Sequence, residues 1–376
     1  MASISKRENG QWRARFRDDS GKEHARHFAR KVDAQRWLDK TTASIVTGSY
    51  VDPKAGRVTF RDHAEAWRVI QVHRPTTQGH HELVLRRYAY PTLGARPLSS
   101  ILPSDIQAWV KMLEAGDPKT GQAPLAPATV GVAHSIVSSV FRAAIRDRRL
   151  VGNPCDATRL PKTETRQVVP MTTEQVQALH EAMPEPFRAM VTLAAGTGMR
   201  QGECFGLSVD RVDFMRRALI VDRQLVKVTG RPPFLAPPKT AASVRTIPLP
   251  TVVVEALAAH VAEHGTGAEG LLFQLDELPV RRASFFQRIW RPALKAAGLP
   301  TTTTFHGLRH YYASLLIRHG ESVKTVQARL GHASATETLD TYSHLWPDSD
   351  DRTREAVDSV LGAEILADSV RTTANP

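Results

Sequence analysis

Phe305-His306-Gly307-Leu308-Arg309-His310 is the stretch on which the reading of this chain turns. His306 and Arg309 stand three apart at a helix start, so both side chains project from one face. An imidazole and a permanently charged guanidinium side by side suit an anionic group such as a phosphate. His310, four residues after His306, also gives the spacing of a zinc pair. The zincin pattern, however, needs a glutamate directly after the first histidine and a third ligand, and Gly307 holds that place, so no metal is expected. Tyr311 and Tyr312 follow where helix packing would use them and are read as core residues.

Three other stretches carry groups of matching chemistry. Toward the N-terminus, Pro238-Lys239-Thr240 puts a lysine in a proline-rich β-hairpin region before Val244-Arg245-Thr246-Ile247-Pro248-Leu249. Farther back, Thr197-Gly198-Met199-Arg200-Gln201-Gly202-Glu203 ends an apolar helix at a sharp turn. There Arg200 enters the next helix with Glu203 one turn on; taken alone, this reads as a surface ion pair. Toward the C-terminus, Leu330-Gly331-His332 is followed ten residues later by Tyr342 in Asp340-Thr341-Tyr342-Ser343-His344. Phosphoryl transfer needs cations around the phosphate oxygens, a proton donor for the leaving oxygen and an in-line nucleophile. The four stretches together supply each of these.

In this order and spacing the four stretches resemble the tyrosine recombinases, or phage integrases, closely over about residues 170 to 345. The resemblance implies that Arg200, Lys239, His306, Arg309, His332 and Tyr342 occupy the catalytic positions, with Glu203 at the acidic position after the first arginine. Arg200 and Arg309 would clamp the scissile phosphate, His306 and His332 would donate to its non-bridging oxygens, one of these two histidines would also exchange a proton with the tyrosine, and Lys239 would protonate the departing 5′ oxygen. Tyr342 would attack, leaving a 3′-phosphotyrosyl bond and a free 5′ hydroxyl. One ester is exchanged for another, so neither ATP nor a metal is required. The implied partners are double-stranded DNA attachment sites, a homotetramer assembled on them, a DNA-bending host factor and an excisionase. The implied fold is multidomain and mainly α with small β elements: an N-terminal three-stranded sheet plus helix, a helical core-binding (SAM-like) domain and a mixed α/β catalytic domain.

The residues outside the motifs agree with a division of that kind. Residues 1–55 begin with the alternating stretch Gln11 to Arg17, in which Trp12, Ala14 and Phe16 face one way and Arg13, Arg15 and Arg17 the other. Asp18-Asp19-Ser20-Gly21 makes a turn, Lys22 to Ala29 return as a strand, and Asp33 is placed to cap a helix carrying Trp37, Leu38 and Ile45. The arginine face is a candidate for an arm-type DNA-binding surface; a solvated sheet face is the alternative. Residues 56–155 contain helical patterns only, the last from Ala128 to Arg148 ending in Arg146, Arg148 and Arg149, which oppose the helix dipole or meet phosphate. Residues 156–170 read as a linker that would let two domains close around a duplex, 171–346 as the catalytic domain and 347–376 as a tail. The tail carries acidic Asp348, Asp350 and Asp351 and an apolar face of Val357, Val360, Leu361 and Ile365, for docking on a neighbouring subunit or on its own domain.

Composition narrows the classes further. At 376 residues the chain exceeds one ordinary core, and 50 Lys and Arg against 38 Asp and Glu leave a net charge of +12 that favours a polyanionic partner. Cys155 and Cys204 have no paired spacing, so neither a disulfide framework nor a zinc cluster is expected. No signal-peptide core and no run of about eighteen apolar residues is present, so a soluble intracellular protein without a membrane partner is expected, and the resemblance implies the cytoplasm of a bacterial host cell. Two other readings share the scaffold: a DNA-binding regulator that has lost catalysis, and a type IB topoisomerase-like enzyme. The full set of reactive side chains argues against the first, the N-terminal module and the tail against the second.

Overall fold

The computed structural model describes all residues except 1, 19–20, 48–49, 53, 119–120, 164–166, 229, 347–349 and 363–376. Asp19, Ser20, Asp348 and Ile365 of the sequence reading therefore lie outside the described residues. The chain divides into two compact units, residues 1–164 and 165–376.

The first unit opens with an antiparallel sheet in the order β1 (Ser3–Lys6), β2 (Trp12–Arg17), β3 (Glu23–Phe28), backed by α1 (Lys31–Val46). Period-two alternation sends Ala14 and Phe16 inward against Ala34 and Leu38, and leaves Arg15 and Arg17 exposed. Asp33 does not cap α1. Arg30 holds the capping position, and the Asp33 carboxylate sits in the first turn, taking two hydrogen bonds from the Arg30 guanidinium at 2.9 and 3.1 Å. The helical part follows with α2 (Phe60–Ile70), α3 (Pro75–Val84), α4 (Tyr90–Leu93), α5 (Pro103–Ala115) and α6 (Pro127–Arg146). The Thr59 hydroxyl caps α2 by accepting from the Asp62 amide, and Phe60, Leu85, Trp109, Val137 and Phe141 form the centre of its core. α6 is the one helix among the described residues long and apolar enough to cross a membrane. Its apolar positions Val130, Val137 and Phe141 are fully buried in that core.

The second unit contains α7 (Thr173–Ala182), α8 (Glu185–Thr197), α9 (Gln201–Phe205), β4 (Val212–Asp213), β5 (Ala218–Val221), β6 (Gln224–Val226), β7 (Phe234–Ala236), β8 (Arg245–Pro248) and α10 (Thr251–His264). It continues with β9 (Gln274–Leu275), β10 (Leu278–Pro279), α11 (Arg282–Phe285), α12 (Arg291–Ala296), α13 (His306–Arg318), α14 (Val323–Leu330), α15 (Ala335–Tyr342) and α16 (Asp350–Val357). The strands form a three-stranded antiparallel sheet in the order β4-β5-β8 and two hairpins, β6-β7 and β9-β10. α8 is the central helix, packed against α10 and α13, with Phe187, Met190, Leu193 and Ala194 buried. Thr172 caps α7 through a reciprocal pair with Gln175, which fixes where the unit begins. In α16 and just beyond, Val357, Val360 and Leu361 are exposed.

Candidate functional site

Two glycines shape the site. Gly198 ends α8 at φ 66° and Gly331 ends α14 at φ 66°, both left-handed closures that a Cβ would strain. A Cβ at 198 would also lie 2.5 Å from the Tyr312 ring, and one at 331 would lie 3.1 Å from the Ala242 carbonyl oxygen and from Arg245 Cδ. These close approaches bring the C-terminal ends of two helices, with their unpaired carbonyls, to one place.

Three arginines meet those carbonyls. Arg245 Nε donates to Arg329 O at 2.8 Å, Arg309 Nη2 to Leu330 O at 2.7 Å and Arg200 Nη2 to Gly331 O at 3.2 Å, so three consecutive carbonyls of one helix end each receive a different guanidinium. Arg309 Nη1 also donates to Gly198 O at 2.8 Å, at the end of α8. The negative ends of two helix dipoles thus hold a cluster of cations that would otherwise repel one another.

A single carboxylate is shared among them. Glu203, 2% exposed, accepts from Arg245 Nη2 at 2.9 Å and Nη1 at 3.3 Å, from Arg200 Nη1 at 3.1 Å and from the Arg200 amide at 2.9 Å. Burial pushes its carboxyl upward, but the bonds and charge of Arg245, then the amide and charge of Arg200, overcome this and hold it below the ordinary carboxylate value. The sequence pattern had suggested a surface pair; the fold buries its acidic half because α9 packs against α8 and β6 while Arg245 of β8 closes over the carboxylate. Arg245, a member of this cluster, was given no role by the sequence reading. Its signal was the alternation of β8, where Arg245 and Ile247 point inward and Thr246 and Pro248 outward.

Arg309 is 1% exposed, and burial, with Arg200 and Arg245 beside it, pushes it down to about 9, which still leaves a cation at neutral pH. Arg200 alone of the three keeps an open side, about a third exposed. His332 is buried, with Nδ1 fixed by the Thr338 hydroxyl at 2.8 Å and Nε2 3.6 Å from Glu337 Oε1. Its ring lies parallel to that of Tyr342, centroids 6.4 Å apart, and burial followed by the three arginines pushes it down to about 3. Tyr342, at the end of α15, is 1% exposed and pushed up to about 12 by burial, with Glu337 adding to this and Arg309 and Arg200 opposing it. Its hydroxyl lies 2.9 Å from Nδ1 of His310, a histidine that sequence reasoning weighed only as a zinc ligand.

His306, first residue of α13, remains open to solvent at the lip of the site while its ring meets that of His310 edge-on at 4.6 Å. Loss of solvent on its inner side, then the charges of His310, Arg309, Arg200 and His332, push it down to about 4. Lys239 is exposed on the turn between β7 and β8. The next residue, Thr240, joins the site through Ser243: the two hydroxyls are 3.0 Å apart, and Ser243 Oγ is 3.5 Å from Arg200 Nη1. The structure thus gathers Arg200, Glu203, Arg309, His332 and Tyr342, with His306 at the rim and Lys239 on an adjoining turn. Tyr311 and Tyr312 are buried in packing, and the Tyr311 hydroxyl is 3.2 Å from that of Thr173.

Arg13, Arg15 and Arg17 belong to the first unit and share the outer face of its sheet. Arg13 is tied to Glu23 at 3.1 Å and Arg15 to the Ser3 hydroxyl at 2.8 Å. Metal-like spacing among the described residues occurs at Glu185, Glu263 and His264, a surface group that includes none of the residues nominated from sequence.

The profile described as phage integrase family matches residues 170–348, which contain every residue of this site. The second unit belongs to the phage integrases, the tyrosine recombinases. The chain is 28% identical over 349 residues to the putative prophage phiRv2 integrase of Mycobacterium tuberculosis, covering 89% of each protein. Among solved structures, the Tn1549 transposon integrase in complex with transposon right end DNA superposes with a TM-score of 0.66 at 25% identity, over 81% of this chain and all of that one. A lambda integrase tetramer bound to a Holliday junction shares the fold, with a TM-score of 0.57 at 21% identity over 89% of this chain and 96% of that one. Site-specific DNA recombination, as an integrase of mobile elements, is the activity that this membership carries.

Proposed function

We propose that this integrase breaks DNA by attack of the Tyr342 hydroxyl on a backbone phosphorus, forming a 3′-phosphotyrosyl bond and releasing a 5′ hydroxyl. The observation that carries this reading is the meeting of Arg200 and Arg309 on the carbonyls that end α14, close enough to Tyr342 for both guanidinium charges to act on the phenol. Arg200, with its open side, and Arg309 hold the phosphate oxygens, fixing phosphorus beside the phenol and stabilising charge as it develops. His332, held by Thr338, and His306 at the rim donate to the non-bridging oxygens. Lys239, on its exposed turn, protonates the leaving 5′ oxygen. Glu203 orients Arg200 and touches no DNA. The exchange is nearly isoenergetic, so the reaction uses neither ATP nor a metal.

The partners follow from the same chemistry. Double-stranded attachment sites are the substrates, and the 5′ hydroxyl of one must attack the phosphotyrosine of another, so a homotetramer on two duplexes is proposed, as in the lambda integrase assembly. A DNA-bending host factor and an excisionase would set the direction. A nicked suicide duplex tests the nucleophile: the wild type should give a covalent adduct on a denaturing gel and Tyr342→Phe none. An adduct that persists in the variant refutes the assignment.

A further inference from the structure

The proton of the Tyr342 hydroxyl must go somewhere when its oxygen attacks, and burial at 1% exposure shuts out bulk water. Among the described residues, one acceptor lies within hydrogen-bond reach of that hydroxyl: His310 Nδ1, at 2.9 Å. His332 is placed differently. Its Nδ1 is occupied by Thr338, its ring plane lies 12° from that of the phenol with centroids 6.4 Å apart, and among the described residues no hydrogen bond joins it to the Tyr342 hydroxyl. His306 meets the ring of His310, not the phenol.

We propose that His310 is a catalytic residue of this integrase, its Nδ1 taking the proton of the Tyr342 hydroxyl as that oxygen attacks phosphorus. The proposal rests on Tyr342 being the nucleophile. In the step, the Oη–H bond breaks and Nδ1–H forms; the Oη–P bond forms and P–O5′ breaks, its electron pair leaving on O5′, which takes a proton from Lys239. In resealing, the 5′ hydroxyl attacks phosphorus and gives its proton back to Lys239, the Oη–P bond breaks as the imidazolium of His310 returns its proton to Oη, and no net proton is consumed.

Electrostatics agree with this geometry. Arg309 and His306 of its own helix, Tyr342 of α15 and His332 ahead of α15 are the titratable groups around His310. Burial, then the charge of Arg309, pushes His310 down to about 4. At neutral pH it is therefore an uncharged imidazole with a lone pair to offer, facing a phenol that does not ionise unaided. The attacking oxygen turns from a weak acid into an ester oxygen that holds no proton. A base between those two limits is effective when transfer accompanies bond formation.

Single-turnover cleavage of the suicide duplex, followed from pH 6 to 10, separates the possibilities. His310→Ala and His310→Asn should bind the duplex with unchanged affinity yet cleave at neutral pH more slowly by about 10²-fold or more. The deficit should shrink toward pH 10, as hydroxide takes over the proton. Asparagine keeps a hydrogen-bonding atom near Nδ1 but cannot carry a proton, so wild-type cleavage by His310→Asn would reduce the histidine to a positioning group and overturn the proposal. Wild-type cleavage by His310→Ala would overturn it as well. An adduct formed by Tyr342→Phe is a separate outcome, and marks failure of the nucleophile assignment itself.

Discussion

Replacing Arg245 with methionine should damage this protein more than any removal of an exposed charge. The Arg245 side chain is 5% exposed, and its four hydrogen bonds run to both oxygens of Glu203 and to the carbonyls of Ser243 and Arg329. Methionine fills most of the volume, so the loss is electrostatic: a carboxylate 2% exposed loses its main counter-ion. Breaking a buried pair in this way costs about 3–5 kcal/mol. Arg200 and its amide still hold Glu203 in the variant, so the lower end, about 3 kcal/mol, is expected, or about 10²-fold faster exchange of amides that open with the second unit. Hydrogen exchange of peptides covering α9 and β5 measures this. The pH dependence has a fixed sign. In the wild type, Glu203 is held below 4.5, so its contribution is complete above that pH and disappears as pH falls through the folded value. In Arg245→Met, burial is less opposed and the carboxyl rises, so acid relieves the buried charge and the gap between the two proteins narrows below about pH 4.5. A loss under about 1 kcal/mol, or a gap constant from pH 7 to pH 4, would refute the account.

Other consequences are equally direct. Thr338→Val keeps the shape of a fully buried side chain but frees His332 Nδ1; cleavage should fall by about tenfold, the worth of one hydrogen bond near 1.4 kcal/mol, with DNA affinity unchanged. A rate within twofold of wild type would show that Thr338 does not hold the ring. On the outer face of the N-terminal sheet, Arg15→Gln and Arg17→Gln should each lower the salt dependence of arm-type DNA binding by about one unit of slope, and unchanged slopes would leave that face as solvated surface. Burial pushes the Cys155 thiol up to about 12 and that of Cys204 up as well, so neither should be alkylated in the folded protein and both should react in urea. Rapid labelling under native conditions would contradict their burial.

The reach of the sequence is clearest where geometry is local. His306 and Arg309 share a helix face because three residues span nearly one turn, and Ala14 and Phe16 point inward because strands alternate. These are short-range rules that need no tertiary knowledge. Arg245 and His310 were not assigned their places because those depend on contacts across 42 and 32 residues of chain, with Glu203 and Tyr342 respectively. The inward phase of β8 and the i,i+4 relation of His310 to His306 were visible in the sequence. What each would face was not, since that follows from where α9 and α15 pack. Asp33 was misplaced by three residues because Arg30 and Asp33 form an ion pair across the helix start, which made the cap signal belong to the first turn instead.

The charge arrangement suits the site to a phosphate. Arg200, Arg245 and Arg309 bring three positive charges to one helix end, and Glu203 returns one negative charge, while His306, His310 and His332 are all pushed toward neutrality. Carbonyl dipoles from α8 and α14 offset part of the excess but carry no full charge. The excess is of fixed position, since each guanidinium is held by at least one backbone oxygen. A phosphodiester entering beside Arg200 meets donors already oriented and needs little reorganisation, the condition under which electrostatic stabilisation of a transition state is largest. The neutral histidines then serve a purpose that more cations would defeat. They add nothing to the repulsion among the arginines, and they leave beside Tyr342 an imidazole whose Nδ1 lone pair can take a proton.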